Sequence, residues 1–322
     1  MNAARTNRWP NHSKRYFIWI LAACAVIAVL AFGVDVVFFQ DPLAALPREI
    51  RDDLQTDCRD AVGAGRRLRH VTLSDPRLGV IAFTVSLPDP IHEEKLPLVA
   101  VLGGIGSGED NIRPVADAGE NAVAGFDWPL PTELPRGFKA VEALPALRHK
   151  ALSVPGQVSA MLNWLVRQPW SDPQRVSLLG FSLGAIALPA AEHMAQHDGL
   201  AIRWTVLAYG SAGLAALVKG DRRIEPGWER PLLGQGAAFL LWPLEPARHL
   251  PGLHGEFLIL GASSDEVVDR RSSAQLEALA PEPKTIIHTA SEHIGTGSDR
   301  SALLAEAVAI TRHWLAAKGA IN

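Results

Sequence analysis

Gly180-Phe181-Ser182-Leu183-Gly184 is the one G-x-S-x-G in the 322-residue chain, and it lies between an apolar run, VSLL, and an alanine-rich stretch, GAIALPAA. A serine on a sharp strand-to-helix turn has strained backbone angles, and side chains two residues either side of it would collide. The following helix offers free N–H groups and the positive end of its dipole beside the hydroxyl. Such a serine is a candidate nucleophile, and it needs a base and a group to orient that base. In this strand–serine–helix arrangement the chain order is Ser, then acid, then His. Asp265 follows the serine by 83 residues, in the turn GASSDEVV after the apolar run EFLIL. Glu266 and Asp269 compete with it, and Asp269 is better placed to start or cap the next helix. His293 comes 28 residues further on, in the loop SEHIG, whereas His288 lies inside the run KTIIHT. A loop at a sheet edge can carry an imidazole to the serine, while a mid-strand residue points above or below the sheet; His293 is therefore the predicted base and His288 a strand histidine.

A fourth element suits an anion. Leu102-Gly103-Gly104-Ile105-Gly106-Ser107-Gly108 follows the apolar run PLVAVL, and glycines let backbone N–H groups approach a developing oxyanion. The N–H of Leu183, with that of Ile105 or Gly104, would form the hole. Two other readings of the loop fail on spacing. A dinucleotide fingerprint needs G-x-G-x-x-G, and a phosphate loop needs Lys after the last glycine, where this chain has Glu109 and Asp110.

These residues require a sheet to hold them. Residues 66–72, 79–86, 97–102, 121–127, 175–180, 203–209, 256–260 and 284–289 read as strands, and 153–167, 183–195 and 300–317 as helices. Pro155 falls in the first turn of the helix at 153, where proline is tolerated. Alternating strands and helices predict an α/β fold with a mostly parallel sheet covered on both faces. Residues 211–250, with Pro226, Trp228, Pro231, Trp242, Pro243 and Pro246, interrupt the rhythm and read as a lid or cap insert.

Over residues 65–322 the glycine loop, the GFSLG turn, Asp265 and His293, in that order, resemble the α/β-hydrolase superfamily. The resemblance implies a roughly eight-stranded sheet and a serine esterase, lipase or thioesterase using a Ser182–His293–Asp265 triad, without metal or cofactor. Many relatives have His-Gly-x-Gly in the oxyanion loop; here Gly103 replaces that histidine. An acyltransferase or peptidase on the same scaffold, and a catalytically silent binding protein of this fold, are the alternative readings.

The N-terminus reads differently. Residues 1–15 form a basic tail with Arg5, Arg8, Lys14 and Arg15 and no acid, while the whole chain carries a net charge of −3. The acidic remainder lacks the clustered Lys and Arg of a nucleic-acid partner. From Phe17 to Val34 the run FIWILAACAVIAVLAFGV has no charge, a span of about 27 Å as a helix. Residues 16–39 are therefore predicted to be a single-pass signal-anchor. Cations before the run place the body outside the cytoplasm, in the periplasm of a bacterium. A cleaved signal peptide, a lipobox ending at Cys24 and a twin-arginine-like signal at Ser13–Phe17 are the other readings. Residues 40–64 read as a juxtamembrane helix or linker. With Cys24 inside the span, Cys58 has no disulfide partner, and two cysteines cannot make a Cys-based zinc site. The expected partners are a small-molecule or lipid-like acyl ester and the membrane.

Overall fold

The structure is a computed structural model that describes residue 24 and residues 40–48, 54–63, 65–91, 95–115, 118–133, 135, 138–220, 227–263, 268–289 and 300–322. The chain divides into two compact units, Met1–Asp41 and Pro42–Asn322. Of the first unit only Cys24, Gln40 and Asp41 are described, so the predicted anchor at 16–39 lies almost wholly outside the described residues. Among those residues, no helix is long and apolar enough to cross a membrane. Cys24 and Cys58 are both free.

The second unit is built on a nine-stranded sheet among the described residues. Its strands are β1 (Gln55–Gly63), β2 (Arg66–Asp75), β3 (Gly79–Pro88), β4 (Leu96–Leu102), β5 (Ala122–Phe126), β6 (Ser171–Phe181), β7 (Trp204–Ala208), β8 (Glu256–Ala262) and β9 (Lys284–Thr289). Their spatial order is β1-β2-β3-β5-β4-β6-β7-β8-β9. The first three strands join one another and β5 antiparallel, and the remaining neighbours are parallel. The sheet is thus mostly parallel, as predicted, with one strand more than the expected eight.

The extra strand is β1, within the stretch 40–64 that reads as linker or helix. Its side chains from Gln55 to Ala61 are exposed, so no apolar alternation marks it. Backbone pairing with β2 forms it instead, through a tight turn in which Gly65 takes φ 76°, a value glycine adopts without steric cost. Across the pair Arg69 grips Asp60 with two hydrogen bonds, of 2.8 and 2.9 Å.

The helices that position the site are α1 (Gly108–Ile112), α2 (Phe138–Val166), α3 (Leu183–His197), α4 (Leu214–Gly220), α5 (Arg230–Leu240), α6 (Pro246–His249), α7 (Arg270–Leu279) and α8 (Arg300–Ala317). β4 shows how both faces of the sheet are covered. Leu98, Ala100 and Leu102 join a core with Val158, Met161, Leu162 and Leu165 of α2 and Leu188 of α3. Val99 and Val101 face the opposite way, into a core with Ala307, Trp314 and Leu315 of α8. Near-continuous burial of a strand is what a parallel sheet between helices requires.

Helix α2 begins at Phe138, not at the expected residue 153, and Pro145 and Pro155 lie inside it. The sequence signal began where burial begins, for Leu152 to Leu162 are buried, whereas Val141, Leu144 and their neighbours face solvent. Helix α7 starts just after Asp269. This residue is its N-cap, with a carboxylate that accepts from the Arg271 N–H at 2.7 Å.

The predicted insert contains α4, α5, α6 and short turns, with residues 221–226 outside the described set. Its base is closed by one side chain. The Glu245 carboxylate accepts from the backbone N–H groups of Gly213 and Leu214, at 2.7 and 2.9 Å. It thereby satisfies the open N-terminus of α4 and returns the excursion to its point of departure.

Candidate active site

Because β4, β6, β7, β8 and β9 run parallel, their C-terminal ends lie along one edge. The register pairs Leu102 with Gly180, Phe181 with Ala208, Ala208 with Leu260, and Ala262 with Thr289. Every sequence-predicted site residue follows one of these ends in the chain.

Ser182 sits between β6 and α3 with φ 53° and ψ −115°. A non-glycine residue there costs on the order of 1–3 kcal/mol and persists only when its surroundings enforce it. The flanking glycines do so. A Cβ on Gly180 would lie 2.7 Å from Ala185 Cα, and one on Gly184 would collide with the carbonyl oxygen of Leu102. The turn is pinned by the Ser182 N–H, which donates to Ala208 O at 2.9 Å. Ser182 is the N-cap residue of α3, yet its hydroxyl makes no capping hydrogen bond, and the first turn of α3 holds no acid. The positive end of the helix is therefore left unneutralised by its own first turn beside the hydroxyl, a setting that favours a developing anion.

The collision that excludes a side chain at Gly184 also shows how closely the start of α3, with Leu183, approaches the glycine loop. That loop is held from below by residues after β5. Trp128 Nε1 donates to Gly103 O at 3.2 Å and the Trp128 N–H to Gly106 O at 3.1 Å. Asp127 accepts a short hydrogen bond from the Gly108 N–H. Burial raises the Asp127 carboxyl above its ordinary value, against the lowering effect of the Gly108 bond. Asn111 Nδ2 donates to Phe126 O at 3.0 Å, and any side chain at Gly103 would strike Asn111. This last contact explains why glycine stands at 103. Ile105 is half-buried against the core, and Gly104 is exposed. Trp128 and Asp127 escaped the sequence reading because they lie 25 and 19 residues from Gly103 and Gly108, the loop residues they hold; Asn111, just beyond the loop in α1, carried no mark of its contact with Phe126.

Asp265, its competitor Glu266, and His293 lie outside the described residues. The strands that deliver them are described. β8 ends at Ala262 and β9 at Thr289, and these two residues pair. Ser263 then donates its N–H and its hydroxyl to Thr289 O, at 3.0 and 2.8 Å. Thr289 also contacts Tyr209, whose hydroxyl is 3.3 Å from Thr289 Oγ1. Tyr209 is buried, follows β7 with φ 57°, and donates its N–H to Leu260 O at 2.8 Å. It is a second residue under backbone strain at the same edge, and the sequence carried no mark of it. His288, the competing histidine, points away: 54% of its side chain is exposed and Nε2 lies 3.1 Å from Glu277 Oε1 on α7. It is a strand histidine, as expected, and its exposure follows from β9 being the edge strand.

The strand order, the serine at the β6–α3 turn, and acid- and histidine-bearing segments after β8 and β9 define the α/β-hydrolase fold. Comparison with solved structures agrees. Acetyl xylan esterase 1 from Thermoanaerobacterium sp. JW/SL YS485 superposes with a TM-score of 0.59, at 14% identity, over 82% of this chain and 90% of that one. Acetyl xylan esterase from Paenibacillus sp. R4 gives a TM-score of 0.58 at 14% identity, over 80% and 89%. A cold-adapted esterase from an Arctic intertidal metagenomic library gives 0.52 at 14%, over 79% and 97%. At such identities the likeness is one of fold. No family model and no curated protein matches the sequence.

Proposed function

We propose that the protein is a serine hydrolase that cleaves a carboxylic ester or thioester through an acyl-enzyme. The observation that carries the reading is the strained Ser182 backbone, φ 53°, enforced by two glycines that tolerate no side chain. Strain of that kind is maintained where it presents a hydroxyl for reaction. Ser182 Oγ attacks the acyl carbonyl carbon while His293 takes its proton, and the carbonyl oxygen becomes an oxyanion held by the N–H groups of Leu183 and of Ile105 or Gly104. The tetrahedral species collapses, and His293 returns the proton to the departing alcohol or thiol. Water, deprotonated by the same histidine, then releases the acid and restores Ser182. Asp265 holds the imidazole in the required tautomer and stabilises its charged form. The esterase neighbours and the parallel ends of β6, β8 and β9 support this arrangement.

The substrate is a small or lipid-like acyl ester, and the insert 211–250 borders its entry as a cap. Residues 16–39 anchor the chain in a membrane with the hydrolase unit on the extracytoplasmic side; the uncharged run 17–34 behind four cations supports this. The test is labelling with a fluorophosphonate probe, followed by a panel of esters of increasing acyl length. Wild type is expected to be labelled stoichiometrically and Ser182→Ala to remain unlabelled. Absence of labelling in folded wild type would leave a silent member of the fold.

A further inference from the structure

Three consecutive residues at the end of β5 each bond to the glycine loop or to the helix that follows it. Phe126 O accepts from Asn111 of α1, and Asp127 accepts from the Gly108 N–H. Trp128 bonds twice, through Nε1 to Gly103 O at 3.2 Å and through its own N–H to Gly106 O at 3.1 Å. The two Trp128 bonds differ from the others in what they enclose. Gly104 and Ile105, whose N–H groups are the candidate oxyanion donors of this loop, lie between them.

The indole bond fixes more than one carbonyl. The only cis peptides among the described residues precede Pro90 and Pro283, so the Gly103–Gly104 unit is trans, and its C=O and N–H point in opposite directions. With Gly103 O drawn to the indole, the Gly104 N–H is turned away from it. Trp128 is buried and Gly104 exposed, so that N–H faces away from the core. Of the two candidate donors, it is the Gly104 N–H whose direction is set in this way. Left to itself the segment has little to hold it, since three of the four residues from Gly103 to Gly106 are glycine, the residue with most conformational freedom to lose. A donor stabilises an oxyanion fully only when it is in place before the charge forms.

The indole is itself held. Its ring meets Phe126 edge to face, with centroids 5.9 Å apart, and the neighbouring Asp127 N–H donates to Ala82 O of β3 at 3.0 Å. Trp170 gives the contrast. It precedes β6 at the end opposite Ser182, is 7% exposed, and its Nε1 has no hydrogen-bond partner among the described residues. A tryptophan that only packs can thus do without such a bond in this fold.

We infer that Trp128 is a positioning residue for ester cleavage: through Gly103 O its indole N–H sets the plane of the peptide that presents the Gly104 N–H to the oxyanion. The inference rests on reading Ser182 as the nucleophile and the glycine loop as half of the oxyanion hole. The full chain is compared with Trp128→Phe, with a variant carrying 3-benzothienylalanine at 128, which keeps the ring shape and lacks only the N–H, and with Trp170→Phe. Four quantities are measured: kcat and KM on one activated ester, Ki for an alkyl trifluoromethyl ketone, and the thermal midpoint. Ser182 Oγ adds to the ketone carbon, its proton passes to the histidine, and the ketone oxygen becomes an oxyanion in the hole.

Both variants at 128 are expected to lose roughly 10- to 100-fold in kcat, less than or equal to the loss of a whole donor. Ki should rise by the same factor, with KM within about twofold of the parent, because the ground-state carbonyl gains little from the hole. Trp170→Phe should keep kcat and Ki whatever its melt. If the variants at 128 melt lower but keep kcat and Ki, Trp128 only packs and the inference is overturned. If KM rises while kcat and Ki hold, the indole shapes substrate binding and the inference is again overturned. In both cases the wild type still reacts with a fluorophosphonate, so the serine-hydrolase reading stands; a folded wild type that is neither labelled nor active overturns both.

Discussion

Ser263 and Thr289 tie together the two segments on which the candidate site depends: one carbonyl oxygen, that of Thr289, accepts both the backbone N–H and the hydroxyl of Ser263, at 3.0 and 2.8 Å. Ser263 is two residues before Asp265 and Thr289 four before His293. The join holds the origins of the acid and histidine segments at a constant separation. Ser263→Ala removes the hydroxyl bond and keeps the backbone one. It should cost about 1 kcal/mol of stability, the usual net worth of such a bond, and lower kcat several-fold with KM little changed. Thermal melts and steady-state kinetics on one activated ester check it; a stability loss with unchanged kcat would show that the join is structural alone.

The choice of base is decided by paired variants. His293→Ala should lower kcat/KM by several orders of magnitude, because triad members act as a unit. His288→Ala removes a surface contact with Glu277, and polar contacts of this kind contribute about 0–1 kcal/mol. Activity should stay near that of the parent. The reverse pattern would move the base to His288.

The acid is separated from its neighbours in the same manner. Asp265→Asn should reduce kcat by roughly 10³–10⁴-fold near neutral pH while leaving the melt unchanged, on the scale of that substitution in other triads. Asp269→Ala, which removes the cap of α7, should cost about 1 kcal/mol of stability and spare turnover. If Glu266→Gln abolishes activity and Asp265→Asn does not, the orienting carboxylate is Glu266.

A pH dependence of stability follows from Glu192. This α3 residue is completely buried; Thr205 Oγ1 and Gln196 Nε2 donate to its Oε1 at 2.8 and 3.0 Å, and Oε2 has no hydrogen-bond partner. Burial pushes its carboxyl from 4.5 up to about 8, against the lowering effect of Thr205. The native state therefore holds a proton that the unfolded chain releases. Its contribution is present in full below pH 4.5 and is lost as pH rises to about 8, at about 1.4 kcal/mol per pH unit. Glu192→Gln keeps an acceptor for Thr205 and should flatten this part of the profile. Urea midpoints between pH 5 and 8 measure it. An unchanged slope in the variant would mean that Glu192 is not the titrating group.

Much of this protein is local, and so was legible in one dimension. A serine between two glycines, an apolar strand before it and an alanine-rich helix after it mark the Ser182 turn, because the collision at Gly180 arises within a few residues; the one at Gly184, with the Leu102 carbonyl, needs the folded sheet. The buried strands announced themselves by apolar runs, and Asp269 by its place before a helix. Three things required the folded chain. β1 is exposed along its described length and exists through pairing with β2, so its sequence had no apolar pattern to show. The first half of α2 faces solvent, and its helical character is visible only where burial starts at Leu152. Trp128 under the glycine loop, Tyr209 against Thr289, and Glu245 across the base of the insert are joined to their partners over 25 to 80 residues of chain. Such bonds depend on which strand ends the sheet order brings together, and sheet order is a property of packing that no single stretch of sequence contains.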